Sequence, residues 1–144
     1  METGSHIRLV LWKAAKAVER VDKASIAQTG LGLSDFAILE ALLHKGPLPI
    51  NQIGQKVLLT SGSMTAAINR LEKRRLVKRV RDPSDNRCFY VQLTKSGRKM
   101  IREAYRNHQL NLEKIVKILT KEKRSELIRL LKKVGFHSDT LVIS

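Results

Sequence analysis

The stretch that decides the fold is LTSGSMTAAINRLEKRRLVKRVRDPSDNRCFYVQLTKSGRKM, residues 59–100. Its first part predicts a helix over about 61–74, because four apolar residues share one helical face: Met64, Ala67, Ile68 and Leu71. A β-hairpin is predicted next, with strands near 77–81 and 88–93 around a polar tip. Three residues of its second strand alternate onto one buried face: Phe89, Val91 and Leu93. This is the only convincing strand pair that the sequence predicts.

Helices are predicted on both sides of the hairpin. Apolar residues that recur at helical spacing indicate five more of them: 7–28, 34–44, 50–57, 95–119 and 121–134. Residues 135–144 are predicted to be irregular. The candidate N-caps carry hydroxyl groups: Ser34, Thr60 or Ser61, and Thr94. The helices at 50–57 and 61–74 are joined by a brief connection, as in a helix-turn-helix. The predicted fold class is therefore mainly α with a small β-hairpin.

Positive charge is concentrated in the same part of the chain. The 144 residues have a formal net charge of +15, and residues 70–102 hold 12 basic and 3 acidic side chains, a net of +9. More than half of the excess therefore falls in under a quarter of the chain. Such a patch attracts polyanions through counterion release. A solvated, lysine-rich surface is the alternative interpretation, but the clustering favours a nucleic acid.

Several classes of function are disfavoured. No apolar run approaches ~18 residues, so no transmembrane helix and no membrane partner are expected. The single cysteine, Cys88, precludes an intramolecular disulfide and fits a reducing cytoplasm. The four histidines lack metal-ligand spacing, so no metal site is expected. Paired carboxylates in a pocket-like setting, a glycine-rich phosphate loop and a nucleophile motif are not found, so we expect neither an enzyme nor a cofactor.

The first helix and the last two helices carry apolar stripes that are wider than one thin central domain can cover. We therefore predict that two identical chains pair through them, with a monomeric helical cap as the alternative. The sequence divides into four parts: a helical dimerisation region at 7–29 and 95–134, a central lobe at 30–94, a tail at 135–144 and residues 1–6. No function is assigned to residues 1–6, because Gly4-Ser5-His6 resembles a tag remnant.

From about residue 7 to 134, the order of elements resembles the MarR family of bacterial transcription regulators. Four motifs within residues 59–100 carry the resemblance: Leu71-Glu72, Leu76-Val77-Lys78-Arg79, Asp85-Asn86-Arg87 and Leu93-Thr94-Lys95-Ser96-Gly97. Two positions depart from the family pattern. Arg75 stands where glycine is common, which implies a positive φ at a cost of about 1 kcal/mol. Asn86 stands where the wing often has arginine, which makes the hairpin tip less basic.

The resemblance implies a homodimer of winged helix-turn-helix subunits, whose recognition helices enter successive major grooves of near-palindromic double-stranded DNA. The hairpin would be the wing that reaches the flanking minor groove. Many members of the family are repressors that a small phenolic or other aromatic effector releases from DNA. We therefore expect a dimeric, sequence-specific DNA-binding repressor that a small aromatic or phenolic ligand releases from its operator. Its expected location is the cytoplasm of a bacterium, in association with the nucleoid. A non-specific nucleoid or RNA-binding protein that uses the same basic patch is the alternative.

Two sets of residues are expected to contact DNA. The recognition helix supplies the first set: Ser61, Ser63, Thr65, Ala66, Asn69, Arg70 and Lys73. Asparagine can bind adenine, and arginine can bind guanine, with two hydrogen bonds each. The wing supplies the second set: Arg79, Arg81, Asp85 and Arg87. Arg87 suits a narrow A·T-rich minor groove, and Asp85 would hold that arginine in position. A solvated hairpin tip is the alternative for Arg87.

The effector crevice that the resemblance implies lies between the dimerisation helices and the DNA-binding lobe. Four residues are candidates for its lining, and a plain packed core is the alternative for each: Trp12, Phe36, His44 and Tyr105. His108 lies on an apolar stripe and is expected in the core or an interface. Cys88 is distant from the first helix, where redox-sensing members carry their reactive cysteine. A structural role is therefore favoured, although neighbouring arginines could lower its pKa.

Overall fold

The computed structural model describes residues 2–57, 61–141 and 143, and it confirms the mainly α class with a small sheet. The elements are α1 (Gly4–Ala27), α2 (Leu33–Lys45), β1 (Leu48–Pro49), α3 (Ile50–Val57), α4 (Ser61–Lys73), β2 (Val77–Asp82), β3 (Asp85–Leu93), α5 (Lys95–Val116) and α6 (Lys121–Thr140). Among the residues described, no helix combines the length and the apolar character needed to cross a membrane.

The sheet has one strand more than predicted, in the order β1-β3-β2 with antiparallel neighbours. The additional strand, β1, places Leu48 opposite Val91 and Pro49 opposite Tyr90. Two residues are too few to show the alternation by which a strand is predicted, and proline is tolerated because β1 is an edge strand. β1 therefore supports the base of the hairpin and leaves the tip to the two longer strands.

The hydrophobic core lies where the helices meet the base of the sheet. Its largest fully buried side chains are Phe36, Ile38, Leu39, Leu42, Ile53, Met64, Ile68, Leu71, Val77, Val91 and Ile101. All four residues of the predicted apolar face of α4 are buried, which confirms that face. Burial of a large apolar side chain contributes about 1.5–3 kcal/mol, so this cluster holds α4 with its opposite face outward.

The hairpin differs from its prediction at two points. Val91 and Leu93 are buried as predicted, but Phe89 is 38% exposed. Phe89 lies beyond the two β3 residues that pair with β1, and the Arg81 guanidinium covers its ring at 5.5 Å from the centroid. β3 also begins earlier than predicted, at Asp85, because the pairing with β2 continues up to the turn. The outer half of the hairpin is therefore an exposed two-stranded ribbon.

Two helices begin at residues other than those predicted. α2 begins at Leu33 with Gly32 in the N-cap position and no side-chain cap, so the prediction of Ser34 as the N-cap is wrong. The backbone closes the first turn without help from a hydroxyl group. α1 begins at Gly4, within the segment to which no function was assigned, because the Thr3 hydroxyl accepts a hydrogen bond from its first turn.

The C-terminal helices also end differently. α6 continues to Thr140, so the irregular tail predicted from residue 135 is wrong. Gly135 weakens a helix but does not end it, and the Ser138 hydroxyl donates to the Val134 carbonyl one turn earlier in the helix. α5 ends at Val116, three residues before its predicted end, where a tight turn leads into α6.

The junction of α4, β2 and α5 is built around the carbonyl group of Leu76. Arg75, two residues after the end of α4, has φ +61°, as the resemblance implied, and the Leu76 N–H donates to the Leu71 carbonyl at 3.0 Å. Thr94 caps α5 as predicted, and its backbone N–H donates to the Leu76 carbonyl at 3.1 Å. Gly97 lies against the same carbonyl, where any Cβ would overlap it. The first turn of α5 therefore needs a residue without a side chain.

Gly97→Ala should lower the free energy of unfolding by roughly 1–3 kcal/mol, the usual cost of overpacking. The overlap is with backbone atoms that are held by the Thr94 hydrogen bond, so relaxation would have to move α5 or β2. Thermal and urea unfolding, followed by circular dichroism, would measure the change.

Gly135→Ala is the matched control, because it makes the same substitution in a helix where a Cβ meets open space. It should raise stability by about 0.5–1 kcal/mol, the difference in helix propensity between the two residues. Equal destabilisation of both variants would contradict the assignment of Gly97 as a close-contact position.

Candidate nucleic-acid interface

The outward face of α4 is polar and lies opposite its buried face. Six predicted DNA-facing residues are exposed on it: Ser63, Thr65, Ala66, Asn69, Arg70 and Lys73. The seventh, Ser61, is the first residue of α4. The connection from α3, which includes the candidate cap Thr60, lies outside the described residues. The small residues near the start of the face permit close approach, and the long cationic ones lie towards its end.

Arg70 does not stand free on this face. Its Nη2 donates to Asp35 Oδ1 at 2.6 Å and its Nε donates to Asp35 Oδ2 at 3.3 Å. The Asp35 side chain is only 7% exposed, whereas that of Arg70 is 51% exposed. The hydrogen bond first, and the carboxylate charge second, raise the pKa of Arg70 above its ordinary value. The two-point contact therefore ties the recognition helix to α2 and orients the guanidinium along the protein surface.

Arg79 is held in a similar way and links the hairpin to α4. Its Nη2 donates to Asn69 Oδ1 at 2.7 Å, its Nη1 donates to Glu72 Oε1, and its backbone N–H donates to Glu72 Oε2 at 3.3 Å. The amide oxygen of Asn69 therefore already accepts one hydrogen bond. In a two-bond contact between Asn69 and adenine, this oxygen would accept a second hydrogen bond or exchange Arg79 for the base.

The tip of the hairpin is organised by two aspartates. Asp82 accepts hydrogen bonds from the Ser84 hydroxyl at 2.7 Å and the Ser84 N–H at 2.9 Å, and these bonds lower the pKa of Asp82. Asp85 Oδ1 accepts from the Arg87 N–H at 3.0 Å and lies 3.7 Å from Arg87 Nε. The Arg87 side chain is 94% exposed. Asp85 thus shapes the backbone beneath an arginine that points into solvent.

Other cations around α4 and the hairpin have no carboxylate partner within the ranges that the structure describes. These exposed cations are Lys73, Arg74, Arg75, Lys78 and Arg81. The basic stretch is therefore of two kinds. Arg70 and Arg79 are used inside the molecule, whereas the others remain available to an external anion.

The sequence did not identify Asp35 or Glu72 as partners of these arginines. A signal for Asp35 was present, because a carboxylate among the apolar residues of a buried helix rarely lacks a partner. The identity of that partner could not be read, since Arg70 lies 35 residues further along the chain. Glu72 is part of one of the family motifs, but its contact with Arg79 forms only after the chain turns into β2.

A groove of about 540 Å³ lies between α1, α2 and α5. Of the four residues predicted to line an effector crevice, Phe36 and Tyr105 line this groove. His44 packs edge-on against the Tyr105 ring, with centroids 4.7 Å apart. Trp12 is 56% exposed on α1 and is not among the residues that line this groove, so its place in an effector crevice stays a prediction. α1 extends beyond the lobe, and Trp12 lies on that extension.

His108 is buried, as expected from its place on an apolar stripe. Its Nδ1 lies 2.8 Å from Ser25 Oγ, its Nε2 lies 3.0 Å from Asp22 Oδ1, and its ring meets the edge of Phe36 at 5.1 Å. Asn111 also donates to Ser25 Oγ, at 2.9 Å. This polar network connects α1 to α5 beside the groove, and the sequence could not show it because its partners lie more than 80 residues apart.

Cys88 is exposed at the outer end of β3, and its thiol donates to Asp85 Oδ2 at 3.5 Å. The hydrogen bond to Asp85 and the negative charge of that carboxylate raise the pKa of Cys88. The structure therefore indicates a raised pKa for Cys88, and not the pKa lowering that neighbouring arginines could produce. A raised pKa leaves less thiolate at neutral pH, so the site is poorly suited to redox sensing.

Asp85→Asn should lower the pKa of Cys88 and speed its alkylation by iodoacetamide at neutral pH, because a neutral amide no longer disfavours the thiolate. Cys88 is the only cysteine, so intact-mass spectrometry reports the rate directly. Asp139→Asn, which makes the same change on α6, is the control and should leave the rate unchanged. Equal rates for all three proteins would contradict the assigned contact.

Comparison with known proteins agrees with this geometry. The family described as transcriptional regulator SarA/Rot matches residues 20–104. The HTH-type transcriptional regulator MhqR of Bacillus subtilis is 32% identical over 130 residues, which are 90% of each chain.

Two solved structures share the fold. AbsC, a MarR family regulator from Streptomyces coelicolor, has a TM-score of 0.81 at 19% identity, with 98% of this chain and 97% of that chain covered. BpsR of Bordetella bronchiseptica, whose DNA binding is regulated by 6-hydroxynicotinic acid, has a TM-score of 0.73 at 23% identity, with 93% and 94% covered. The sequence matches and the helix-turn-helix with its hairpin place this chain in the MarR-type family of winged helix DNA-binding transcription regulators.

Proposed function

We propose that this protein is a homodimeric repressor that binds a near-palindromic DNA operator and is released from it by a small aromatic effector. The observation that carries the proposal is the sorting of cations around α4 and the hairpin. Arg70 and Arg79 pair with Asp35 and Glu72, whereas Lys73, Arg74, Arg75, Lys78 and Arg81 are exposed around α4 without a carboxylate partner among the described residues. A surface of this kind suits the phosphates on both sides of a major groove.

The predicted contact residues take different roles in this proposal. Base reading is assigned to the small and amide side chains that the sequence places on the outward face of α4: Ser61, Ser63, Thr65, Ala66 and Asn69. Phosphate and minor-groove contacts are assigned to the outward-facing cations, to which the structure adds Arg74 and Lys78: Lys73, Arg74, Lys78, Arg81 and Arg87. Arg70 and Arg79 become positioning residues, because their guanidinium groups already hold α4 against α2 and the hairpin. Asp85 positions the wing tip through its bond to the Arg87 N–H.

The dimer is supported by the apolar faces of α1 and α6. No described residue of α6 is buried, although the helix exposes many large apolar side chains: Leu127, Ile128, Leu130, Leu131, Val134 and Phe136. α1 exposes a similar set: Ile7, Val10, Leu11, Trp12, Val18 and Val21. Contiguous apolar surface of this extent marks an interaction site. A second copy is the partner that also provides the two-fold symmetry of a palindromic site.

The dimerisation region proposed from the sequence, 7–29 and 95–134, then gains the last turns of α6. Arg124 sets the direction of α6, because its Nε donates to the carbonyls of Val116 and Leu119 at 3.2 and 3.3 Å. The two recognition helices of a dimer must be about one helical turn of DNA apart, ~34 Å. An effector that changes this distance would release the operator, and occupation of the operator would block transcription. A repressor of this kind would act in the bacterial cytoplasm, at the nucleoid.

A random-sequence selection with the full-length protein tests the proposal. We expect enrichment of an inverted repeat whose half-sites are about 10 base pairs apart, bound by two chains. The dimer would be measured by analytical ultracentrifugation with and without the selected duplex. Recovery of no motif, with equal salt-dependent affinity for every DNA and RNA tested, would instead identify a non-specific nucleoid or RNA-binding protein.

Arg87→Ala and Arg70→Ala should weaken operator binding in different ways. Arg87→Ala removes an exposed charge, so the slope of log K against log salt should fall by about 0.9 for each phosphate that Arg87 neutralises, with no change in melting temperature. Arg70→Ala leaves the buried Asp35 carboxylate without its partner, so the melting temperature should fall, with little change in the salt slope.

Arg106→Ala is the charge-matched control, because Arg106 is an exposed residue on α5 without a partner in the described structure. It should leave both the salt slope and the melting temperature unchanged. If Arg87→Ala behaved like this control on the selected operator, the hairpin would not be a DNA-contacting wing.

A further inference from the structure

The groove between α1, α2 and α5 is lined largely by apolar and aromatic side chains. Its volume of about 540 Å³ is within the range of about 300–1,000 Å³ that small-molecule sites occupy. Apolar side chains form much of it, and the aromatic rings of Phe36 and Tyr105 contribute to the lining. Both rings are held in place by edge contacts, Phe36 by His108 and Tyr105 by His44. The walls are therefore prepared for a flat, apolar group.

The charges in this groove are opposite in sign to those of the whole chain. Asp22 and Glu40 line it, whereas no lysine or arginine that the structure describes does. Asp22 contacts His108 Nε2 at 3.0 Å, and its side chain remains 41% exposed. Glu40 is half-buried and has no hydrogen-bond or ion-pair partner among the described residues. In a protein of net charge +15, the groove therefore offers a local negative site.

Such a site discriminates between ligands by charge. A ligand cation is attracted by the two carboxylates and by the faces of the aromatic rings. An aromatic carboxylate of the same size meets like charges on two walls, and none of the described cations lines the groove to offset them. We propose that the groove binds a small aromatic amine in its protonated form, with the ring between Phe36 and Tyr105 and the ammonium group near Asp22 and Glu40.

The same helix connects this groove to the recognition helix. Phe36 and Glu40 of α2 line the groove, while Asp35, the neighbour of Phe36, holds Arg70 of α4. A ligand that moves α2 therefore acts on the residue that positions the DNA-reading surface. The role of the amine as an effector rests on the proposed function, whereas its binding to the groove does not.

Three ligands with one scaffold test the proposal: tyramine, which is a cation, tyrosol, which is neutral, and 4-hydroxyphenylacetate, which is an anion. Isothermal titration calorimetry with the full chain in the absence of DNA should give tyramine the highest affinity, at least about tenfold above the anion, with tyrosol between them. Glu40→Gln should weaken tyramine binding and reduce the difference in affinity between tyramine and 4-hydroxyphenylacetate. Circular dichroism would show that this surface substitution leaves the fold intact.

Glu103→Gln is the matched control, because Glu103 lines a separate groove between α1 and α5 that does not include Phe36 or Tyr105. It should leave all three affinities unchanged. The proposal is overturned if the anion binds as tightly as the cation, if none of the three binds at millimolar concentration, or if the two glutamine variants behave alike. Tyramine binding by a protein that selects no operator would contradict the proposed function and leave the groove assignment standing.

Discussion

The carboxylate of Asp35 is the constraint on which the DNA-facing surface depends. A carboxylate inside an apolar helix interface is costly unless a partner neutralises it and satisfies its oxygen atoms. Arg70 does both through two hydrogen bonds, and two bonds to a planar group define a direction as well as a distance. This contact reinforces the rotation of α4 that its buried apolar face establishes, and it fixes where the Arg70 guanidinium lies on the outward face.

The hairpin is attached to the same unit by two further contacts. Arg79 links β2 to Asn69 and Glu72 of α4, and the Leu76 carbonyl is enclosed by Thr94 and Gly97 of α5. The recognition helix and the wing are therefore joined by direct contacts. Arg70 holds α4 against α2, and Arg79 holds β2 against α4, each through its carboxylate partner. The other exposed cations remain available to an external anion.

α2 lies at the centre of this arrangement. One side of it carries Asp35 towards α4, and another side carries Phe36 and Glu40 towards the groove. A single rigid helix thus borders both the candidate effector site and the support of the recognition helix. The network of His108 with Asp22 and Ser25 ties α1 to α5 at the border of the same groove. A ligand that displaced α2 from the groove side would therefore also displace the carboxylate that holds Arg70.

The local patterns determined much of this molecule. Helical spacing in α4, alternation at Val91 and Leu93, and the family motifs were sufficient for the fold class, the helix-turn-helix and the hairpin, because neighbours in sequence form these features. The left-handed Arg75 followed from the resemblance. The same patterns wrongly predicted that Phe89 is buried. Alternation of apolar and polar residues indicates a strand, but it does not show which part of that strand other elements cover.

The tertiary structure alone decided which charges are used and which are free. Arg70 and Arg79 looked equivalent to Arg81 and Arg87 in the sequence, since all lie in one basic stretch. Their difference comes from carboxylates that folding brings alongside two of them, and one of these, Asp35, is 35 residues distant from its partner. The groove and its negative walls are likewise assembled from three separate helices. Composition fixes the total charge, whereas the pairing of charges is a property of three-dimensional proximity.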